Sequence, residues 1–220
     1  AKNTIVIGAL HVPPYIIIST DDNKVAGIVP EMLDAIFLPL GITVKYELLS
    51  IPRIKRALKT GEIDAFPLMF TGQRKASLVV GTDVYLTAND YIWAQKAQYL
   101  TAIPWHKYDD LKGYRFGIVS HVSYGKETND FIASNPENFY ASTTTEQSIK
   151  LLLAGRVDGI FNSEYIMKNY IERNNLATQL VRSQKALFQN KYVIGISKKS
   201  PFANQLAKIN QQIKQINTRQ

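Results

Sequence analysis

Cysteine is absent from the 220 residues of this chain, and long apolar runs are absent too. Without cysteine there is no disulfide, no thiolate metal ligand and no cysteine nucleophile, although oxidising and reducing compartments both stay open. The most apolar segment, residues 12–18, contains Pro13 and Pro14 and is much shorter than the roughly 18 apolar residues of a membrane span. The sequence therefore predicts a protein that does not cross a bilayer.

Motifs of several enzyme and metal-binding classes are missing as well. His11, His106 and His121 lie far apart without the spacing of paired ligands, which argues against a zinc site. There is no Gly-x-Ser-x-Gly nucleophile motif. Segment 120–127 fails the phosphate-loop pattern because Ser replaces its first Gly and Glu replaces its final Ser or Thr. We therefore expect no metal, no cofactor and no phosphoryl transfer.

What the chain does have is an excess of positive charge, with 26 Lys and Arg, 18 Asp and Glu, and a net charge of +8. This balance suits a small anionic ligand, an anionic membrane surface or nucleic acid. The basic residues are spread thinly, with short clusters at 53–56 and 198–199, and no RNA-binding aromatic motif accompanies them. We therefore expect no nucleic-acid partner.

Two similar segments organise the rest of the sequence. They are 58–65 (LKTGEIDA) and 152–159 (LLAGRVDG). Each is typical of the end of an amphipathic helix, a glycine in the left-handed position and a short apolar strand opened by Asp. The recurrence of this helix-to-strand return predicts a protein of two lobes.

The pattern around these segments is strand and helix in alternation, which predicts mainly parallel, right-handed wound sheets. The first series comprises strand 4–9, helix 30–40, strand 43–48, helix 52–58 and strand 63–66. The second comprises strand 115–119, helix 124–134, strand 139–141, helix 146–154 capped from the Thr143-Thr-Thr145 run, strand 157–161 and helix 163–174. Two further strands, 178–182 and 192–197, precede a closing helix over 201–216.

The predicted fold class is therefore α/β, with two wound sheets and no long Gly/Ser linker between them. We expect lobe 1 to comprise residues 1–87 plus 190–220 and lobe 2 to comprise residues 91–187. Two crossover strands would join the lobes, with hinges near 86–90 and 188–191.

A small set of polar and aromatic side chains is suited to binding an anion. Arg74 follows a strand and can form a bidentate pair with a carboxylate, and Thr71 adds a hydroxyl. Ser123 and Tyr124 lie at the predicted start of a helix, where free N–H groups favour an anion. Tyr15, on a proline-containing loop, offers an aromatic wall.

Together these motifs resemble one known family, the extracytoplasmic solute-binding proteins of the amino-acid type (bacterial family 3), over nearly the whole chain. The resemblance is carried by Pro13-Pro14-Tyr15, Gly27-Ile-Val-Pro-Glu31, Leu58-Lys-Thr-Gly-Glu-Ile-Asp64, Thr71-Gly-Gln-Arg74 and Gly155-Arg-Val-Asp158. It implies two α/β lobes of the type II periplasmic-binding-protein kind, with a solute bound in the cleft between them and no catalysis. Arg74 then occupies the position that holds a ligand carboxylate.

The resemblance also implies a location and partners. It implies a periplasmic monomer that presents its solute to the permease of an ABC transporter. The sequence opens at Ala1-Lys2-Asn3 without Met, as expected of a mature chain whose signal peptide has been removed.

The second lobe departs from the family. Ser163, beside Asn162 and Glu164, replaces the Asp that usually holds the ligand's α-amino group, so we expect hydroxyls, Asn162 and a helix N-terminus to make these contacts. Arg56-Ala-Leu58 and Ser123-Tyr124-Gly125 resemble a looser branch of the family. The complete set of expected ligand-binding residues is Arg74, Thr71, Tyr15, Ser123, Tyr124, Asn162, Ser163, Glu164 and Arg56.

Three functions stay open at this point. The first is a receptor that delivers a small polar, carboxylate-bearing solute to an ABC importer. The second is an enzyme on the same scaffold, of the cyclohexadienyl-dehydratase type, with Glu164 as general acid. The third is the ligand-sensing domain of a signalling system. Fold alone does not choose among them.

Overall fold

The structure is a computed structural model that describes residues 3–22, 24–71, 78–120 and 122–218. The strands found there are β1 (Thr4–Ala9), β2 (Ile17–Ile18), β3 (Val25–Ala26), β4 (Thr43–Leu48), β5 (Ala65–Phe70), β6 (Val79–Gly81), β7 (Leu86–Gln95), β8 (Phe116–Val119), β9 (Phe139–Ser142), β10 (Gly159–Ser163), β11 (Leu180–Arg182) and β12 (Phe188–Ser197). The α-helices are α1 (Ile28–Phe37), α2 (Ile51–Thr60), α3 (Lys126–Ser134), α4 (Thr145–Leu153), α5 (Glu164–Arg173) and α6 (Leu206–Asn217).

The chain divides into two compact units. Unit 1 is Ala1–Thr87 with Lys191–Gln220, and unit 2 is Ala88–Asn190. Strands β7 and β12 each contribute residues to both units, so the chain passes from one unit to the other within a strand on both occasions.

In unit 1, β1 is the central strand and pairs in parallel with β4 on one side and β5 on the other. β12 is antiparallel to β5, and β6 is antiparallel to β12. Ile5 and Ile7 of β1 are fully buried, as are Leu33 and Ile36 of α1. α6 packs against α1, where the side-chain amide of Gln212 donates to a main-chain carbonyl. The closing helix therefore completes the core of unit 1.

In unit 2, β8 lies between β9 and β10 and is parallel to both. β7 is antiparallel to β10, and β11 is antiparallel to β7. The core on one face of this sheet is aromatic, with Phe116 within 4.8 Å of Phe161 and 5.7 Å of Phe139 between ring centroids. Thr144 caps α4 by accepting the N–H of Gln147, in the Thr run that the sequence placed before this helix.

The two similar segments have the same local structure, as the sequence predicts. Gly61 and Gly155 follow α2 and α4 with φ of 83° and 68°, in the left-handed region. Asp64 and Asp158 then each accept a main-chain N–H from the start of the neighbouring strand region at 2.8 Å. The repeated Asp therefore ties adjacent strands together and belongs to the scaffold.

Several details differ from the sequence-based prediction. The sheets are mixed rather than mainly parallel, because β6, β7, β11 and β12 run antiparallel to their neighbours. Helix α3 begins at Lys126 rather than at residue 124, because Gly125 precedes it with φ of 84° and cannot be helical. Strand β10 begins at Gly159, two residues later than predicted, since Asp158 is used in the turn.

In the described part of the chain, no helix combines the length and the apolar character needed to span a membrane.

Candidate functional site

Each unit presents one edge at which its parallel strands end. In unit 1 this edge follows β1, β4 and β5, and in unit 2 it follows β8, β9 and β10. Ligand-binding groups of α/β sheets lie beyond such carboxyl ends. Because β7 is antiparallel to β10, the first residues of β7 lie at the same edge as the last residues of β10.

In unit 1, Tyr15 lies in the loop that follows β1. Its side chain is buried, with 3% exposed, and its ring centroid is 5.7 Å from that of Tyr192, which in turn lies 5.1 Å from Phe70. The main-chain carbonyl of Tyr15 accepts the N–H of Val29 at the start of α1. The loop is thus fixed against a helix N-terminus, and Tyr15 is part of an aromatic group beside the end of β5.

The other predicted residues of unit 1 are less closely placed. Thr71 is exposed directly after β5, and its N–H donates to the carbonyl of Lys191 at 3.2 Å. Arg74 lies outside the described residues. Arg56 lies on the exposed face of α2, and within the described ranges its side chain makes no hydrogen bond or ion pair.

In unit 2, Ser123 and Tyr124 form a short turn between β8 and α3. Asn129 of α3 fixes this turn, because its Nδ2 donates to Ser123 Oγ at 3.0 Å and its Oδ1 accepts the N–H of Tyr124 at 3.1 Å. Ser123 is exposed, whereas Tyr124 is buried with 3% exposed. Ser123 and Tyr124 lie three and two positions before the first residue of α3, so they do not occupy its first turn.

Tyr124 also holds the end of β8. Its hydroxyl accepts the N–H of Val119 at 2.9 Å, and its ring packs edge-on against Phe161 at 6.0 Å. Burial, only partly offset by the Val119 hydrogen bond, raises the pKa of Tyr124 to about 12. A tyrosine hydroxyl is protonated near neutral pH even without this shift, so Tyr124 keeps a hydrogen to donate.

Asn162 and Ser163 end β10 and are 6% and 7% exposed. Asn162 Oδ1 accepts the N–H of Ser163 at 2.8 Å, and the Asn162 carbonyl accepts from Trp93 Nε1 at 3.2 Å. The other amide atom, Asn162 Nδ2, is buried and has no hydrogen-bond partner among the residues that the structure describes. Since buried polar atoms in native proteins are nearly always paired, this donor is a candidate for a solute oxygen.

Glu164 begins α5 and is an acceptor in all of its observed contacts. Its Oε1 lies 3.4 Å from both the main-chain and the side-chain nitrogen of Asn89, and its Oε2 lies 3.8 Å from Lys168 Nζ. These contacts connect the end of β10 to the start of β7.

Sequence reasoning missed two residues at this edge, Asp90 and Asn190. Both are buried, at 4% and 5% exposed, and Asn190 Nδ2 donates to Asp90 Oδ2 at 3.0 Å. Asp90 is the cross-strand partner of Ser163. Burial raises the pKa of Asp90 to about 6, the hydrogen bond from Asn190 opposes the rise, and the charge of Glu164 adds to it. The signal in the sequence was an Asp directly before the apolar run Tyr91-Ile-Trp-Ala94.

Unit 2 therefore brings together five of the predicted residues, Ser123, Tyr124, Asn162, Ser163 and Glu164, along one strand edge. Over the described ranges, no group of three or more His, Cys, Asp or Glu side chains could hold a metal ion. The chemistry of the edge is that of hydroxyls, amides and carboxylates, which suits polar recognition.

Comparison with known proteins bears on the family and the fold. The model of the bacterial extracellular solute-binding proteins, family 3, matches residues 5–220. Among curated proteins, no sequence matches the chain.

Solved structures share the fold at low sequence identity. The second substrate binding domain of a putative amino acid ABC transporter from Streptococcus pneumoniae has a TM-score of 0.76 at 15% identity, covering 98% of this chain and 94% of that one. An ancestral arginine-binding protein bound to arginine has a TM-score of 0.68 at 20% identity, covering 98% and 93%. A histidine kinase sensor domain has a TM-score of 0.68 at 22% identity, covering 98% and 90%.

Proposed function

Since the chain belongs to the bacterial extracellular solute-binding proteins of family 3, with an α/β periplasmic-binding-protein-like fold, we propose that it binds a small polar, carboxylate-bearing solute. Amino acids and related organic acids form this class. The observation that carries the proposal is the buried polar edge of unit 2, where Asn162 and Asn190 each keep an unpartnered amide atom among the described residues. A polar solute would supply the hydrogen bonds that these atoms lack.

The residues divide into two groups by the part of the solute that they would bind. Arg74 and Thr71 are proposed for the carboxylate, and Tyr15 for the aromatic wall beside it. In unit 2, Ser123 and Asn162 can donate hydrogen bonds, and Ser163 lies between Asn162 and Glu164 at the end of β10. Arg56 and Glu164 are proposed at the margin of the solute-binding site. The solute would lie in the cleft that the sequence predicts between the two lobes.

We further propose that the protein is a periplasmic monomer that delivers its solute to the permease of an ABC importer. The support is the family itself and the resemblance to a substrate binding domain of a putative amino acid ABC transporter. Deleting the gene should abolish uptake of the bound solute at low external concentration. Unchanged high-affinity uptake in the deletion strain would contradict the importer role.

A thermal-shift screen of the unliganded protein tests the binding function. The panel consists of L-arginine, L-glutamine and L-glutamate, the organic acids glutarate and succinate, and the polyamine putrescine. A solute present at 100 times its dissociation constant stabilises the native state by about 2.7 kcal/mol, which gives a clear rise in melting temperature. Carboxylate-bearing compounds should raise it and putrescine should not. A shift with putrescine alone would contradict the proposed solute class.

A sensing function is the second candidate, because a histidine kinase sensor domain has the same fold over 98% of this chain. Both functions require solute binding, so the thermal-shift screen does not separate them. The reading frame that encodes the chain does. Continuation into a kinase or another signalling module would favour the sensor over the importer subunit.

The dehydratase alternative depended on Glu164 as a general acid. A general acid must carry a proton to donate, whereas the contacts of Glu164 with Asn89 and Lys168 all use its carboxylate as an acceptor. The solved neighbours named above are binding or sensor domains. We therefore propose a function without catalysis.

A further inference from the structure

At the edge of unit 2, two neighbouring buried side chains have acceptor atoms without a full set of donors among the described residues. Asn190 uses its Nδ2 to donate to Asp90 Oδ2, which leaves Asn190 Oδ1 buried and unpartnered within the described part of the chain. The bond from Asn190 is also the one side-chain hydrogen bond of Asp90 among those residues. Buried carboxylates ordinarily gain two or three hydrogen bonds or a cationic partner. Among the residues that the structure describes, this pair has neither.

Asp90 and Asn190 lie at the same strand edge of unit 2 as the predicted ligand-binding residues. Asp90 lies directly across from Ser163, the last residue of β10. Glu164 follows at once, and its carboxylate is close enough to raise the pKa of Asp90. Tyr124, on the turn after β8, lies close enough for the Asp90 charge to raise its pKa in turn. The side chains that shift the pKa of Asp90 are thus the neutral Asn190 and the acidic Glu164.

We infer that Asp90 and Asn190 form an acceptor pair for a protonated nitrogen of the bound solute. The inference rests on the proposed function, since it assumes that the solute binds at this edge. It narrows the solute class to compounds with a carboxylate and a cationic nitrogen donor. It also replaces the expectation that hydroxyls and amides alone make the contacts of unit 2.

The physical argument is a balance of desolvation and charge. A buried carboxylate without a cation is costly, and burial raises the pKa of Asp90 to about 6, so that near this pH a proton occupies the group in about half of the unliganded molecules. An ammonium with three donors can satisfy both Asp90 and the unpartnered Asn190 Oδ1. Once that ammonium is bound, the ionised form of Asp90 is favoured and the proton leaves to solvent. Binding is therefore coupled to proton release.

The test uses L-glutamine and glutaramic acid, which is the same molecule with hydrogen in place of the α-ammonium. Isothermal titration at pH 6, in two buffers of different ionisation enthalpy, measures the protons released on binding. With a pKa of about 6, the parent should release about half a proton for each L-glutamine bound and none with glutaramic acid. At pH 8 the release should disappear.

The variant Asp90→Asn keeps the size of the side chain and can pair with both amide atoms of Asn190. It should weaken L-glutamine binding about 10- to 100-fold, the range for loss of a hydrogen bond to a charged group, and abolish proton release. Glutaramic acid should bind the parent and Asp90→Asn equally. The matched control is Asp130→Asn, which replaces an exposed carboxylate of α3 in the same unit. It should leave the affinity for L-glutamine, the affinity for glutaramic acid and the proton release unchanged.

The outcomes separate this inference from the proposed function. Equal binding of L-glutamine by parent and Asp90→Asn, or no proton release by the parent, would overturn the inference and leave the proposed function in place. If the protein binds organic acids but none of the amino acids, the inference is likewise overturned and the proposed function stays in place. Binding of no compound in the screening panel, nor of either probe, would overturn both.

Discussion

Asp90 is 4% exposed on β7, and one hydrogen bond from Asn190 opposes the loss of water around its carboxyl. Its ordinary pKa is 3.8 and its pKa in the fold is about 6. The folded state therefore binds this proton more tightly than the unfolded chain does. The stabilising contribution is full below pH 3.8 and is lost as the pH rises through about 6, with a total of about 3 kcal/mol.

Replacing Asp90 with Asn removes this titration, so the unliganded variant should gain stability relative to the parent as the pH rises. The difference in free energy of unfolding between Asp90→Asn and the parent should grow by up to about 3 kcal/mol between pH 4 and pH 8. Urea denaturation across this range measures it. The charge of Glu164 adds to the pKa shift of Asp90, so the interaction between these two carboxylates contributes part of the expected pH dependence. A difference that does not vary with pH would contradict the prediction.

At the scale of elements, Gly125 decides where α3 begins. Its φ of 84° is strained for any residue with a side chain, and a Cβ there would lie 2.3 Å from Cδ2 of the Phe188 ring. Both residues belong to unit 2. The turn of Ser123 and Tyr124 therefore depends on the absence of a side chain at the next position.

Gly125→Ala should lower the free energy of unfolding by about 1–3 kcal/mol, because it combines the strained conformation with a ring displacement. Urea denaturation gives the value. The control is Gly113→Ala, since Gly113 has no atom within 4 Å of the added Cβ and no positive φ in the strained range. The prediction is wrong if the two variants unfold at the same urea concentration.

The elements also show how far the sequence could predict this structure. Glycine marks a left-handed backbone position directly, which is why Gly61 and Gly155 were placed correctly. A threonine before a helix marks its N-cap in the same local way, which is why the cap of α4 was also placed correctly. The directions of β7 and β12 depend on pairing between residues distant in sequence, which local patterns do not contain. The prediction of mainly parallel sheets was wrong for that reason.

Only part of the candidate site could be named from the sequence, because local patterns do not show which distant residues meet. Asn162 and Ser163 could be named because they lie shortly after the Gly155-Arg-Val-Asp158 motif of the family resemblance. Asp90 and Asn190 could not, since they are a hundred residues apart and meet only through their strands. An Asp in an apolar strand is in most cases a turn or edge residue, and only burial distinguishes this one.

For the whole molecule, the question is whether the proposed residues of the two units bind one solute. Asp90 belongs to unit 2, whereas position 74 falls in the sequence range of unit 1. Arg74 itself lies outside the described residues. The net charge of +8 favours the approach of anions in general but does not identify a site. Selective substitution at each unit can answer the question.

Arg74→Ala should weaken both L-glutamine and glutaramic acid by about 1.5–3 kcal/mol, because both carry the carboxylate that Arg74 is proposed to bind. Asp90→Asn should weaken L-glutamine alone. If one solute contacts both residues, titration calorimetry of the parent gives a single binding event per chain, and the double variant loses about the sum of the two single effects. Arg53→Ala, on the exposed face of α2, serves as the basic control. If L-glutamine instead occupied two independent sites, each single variant would keep one event at the parent's affinity, and the proposal of a shared solute would fail.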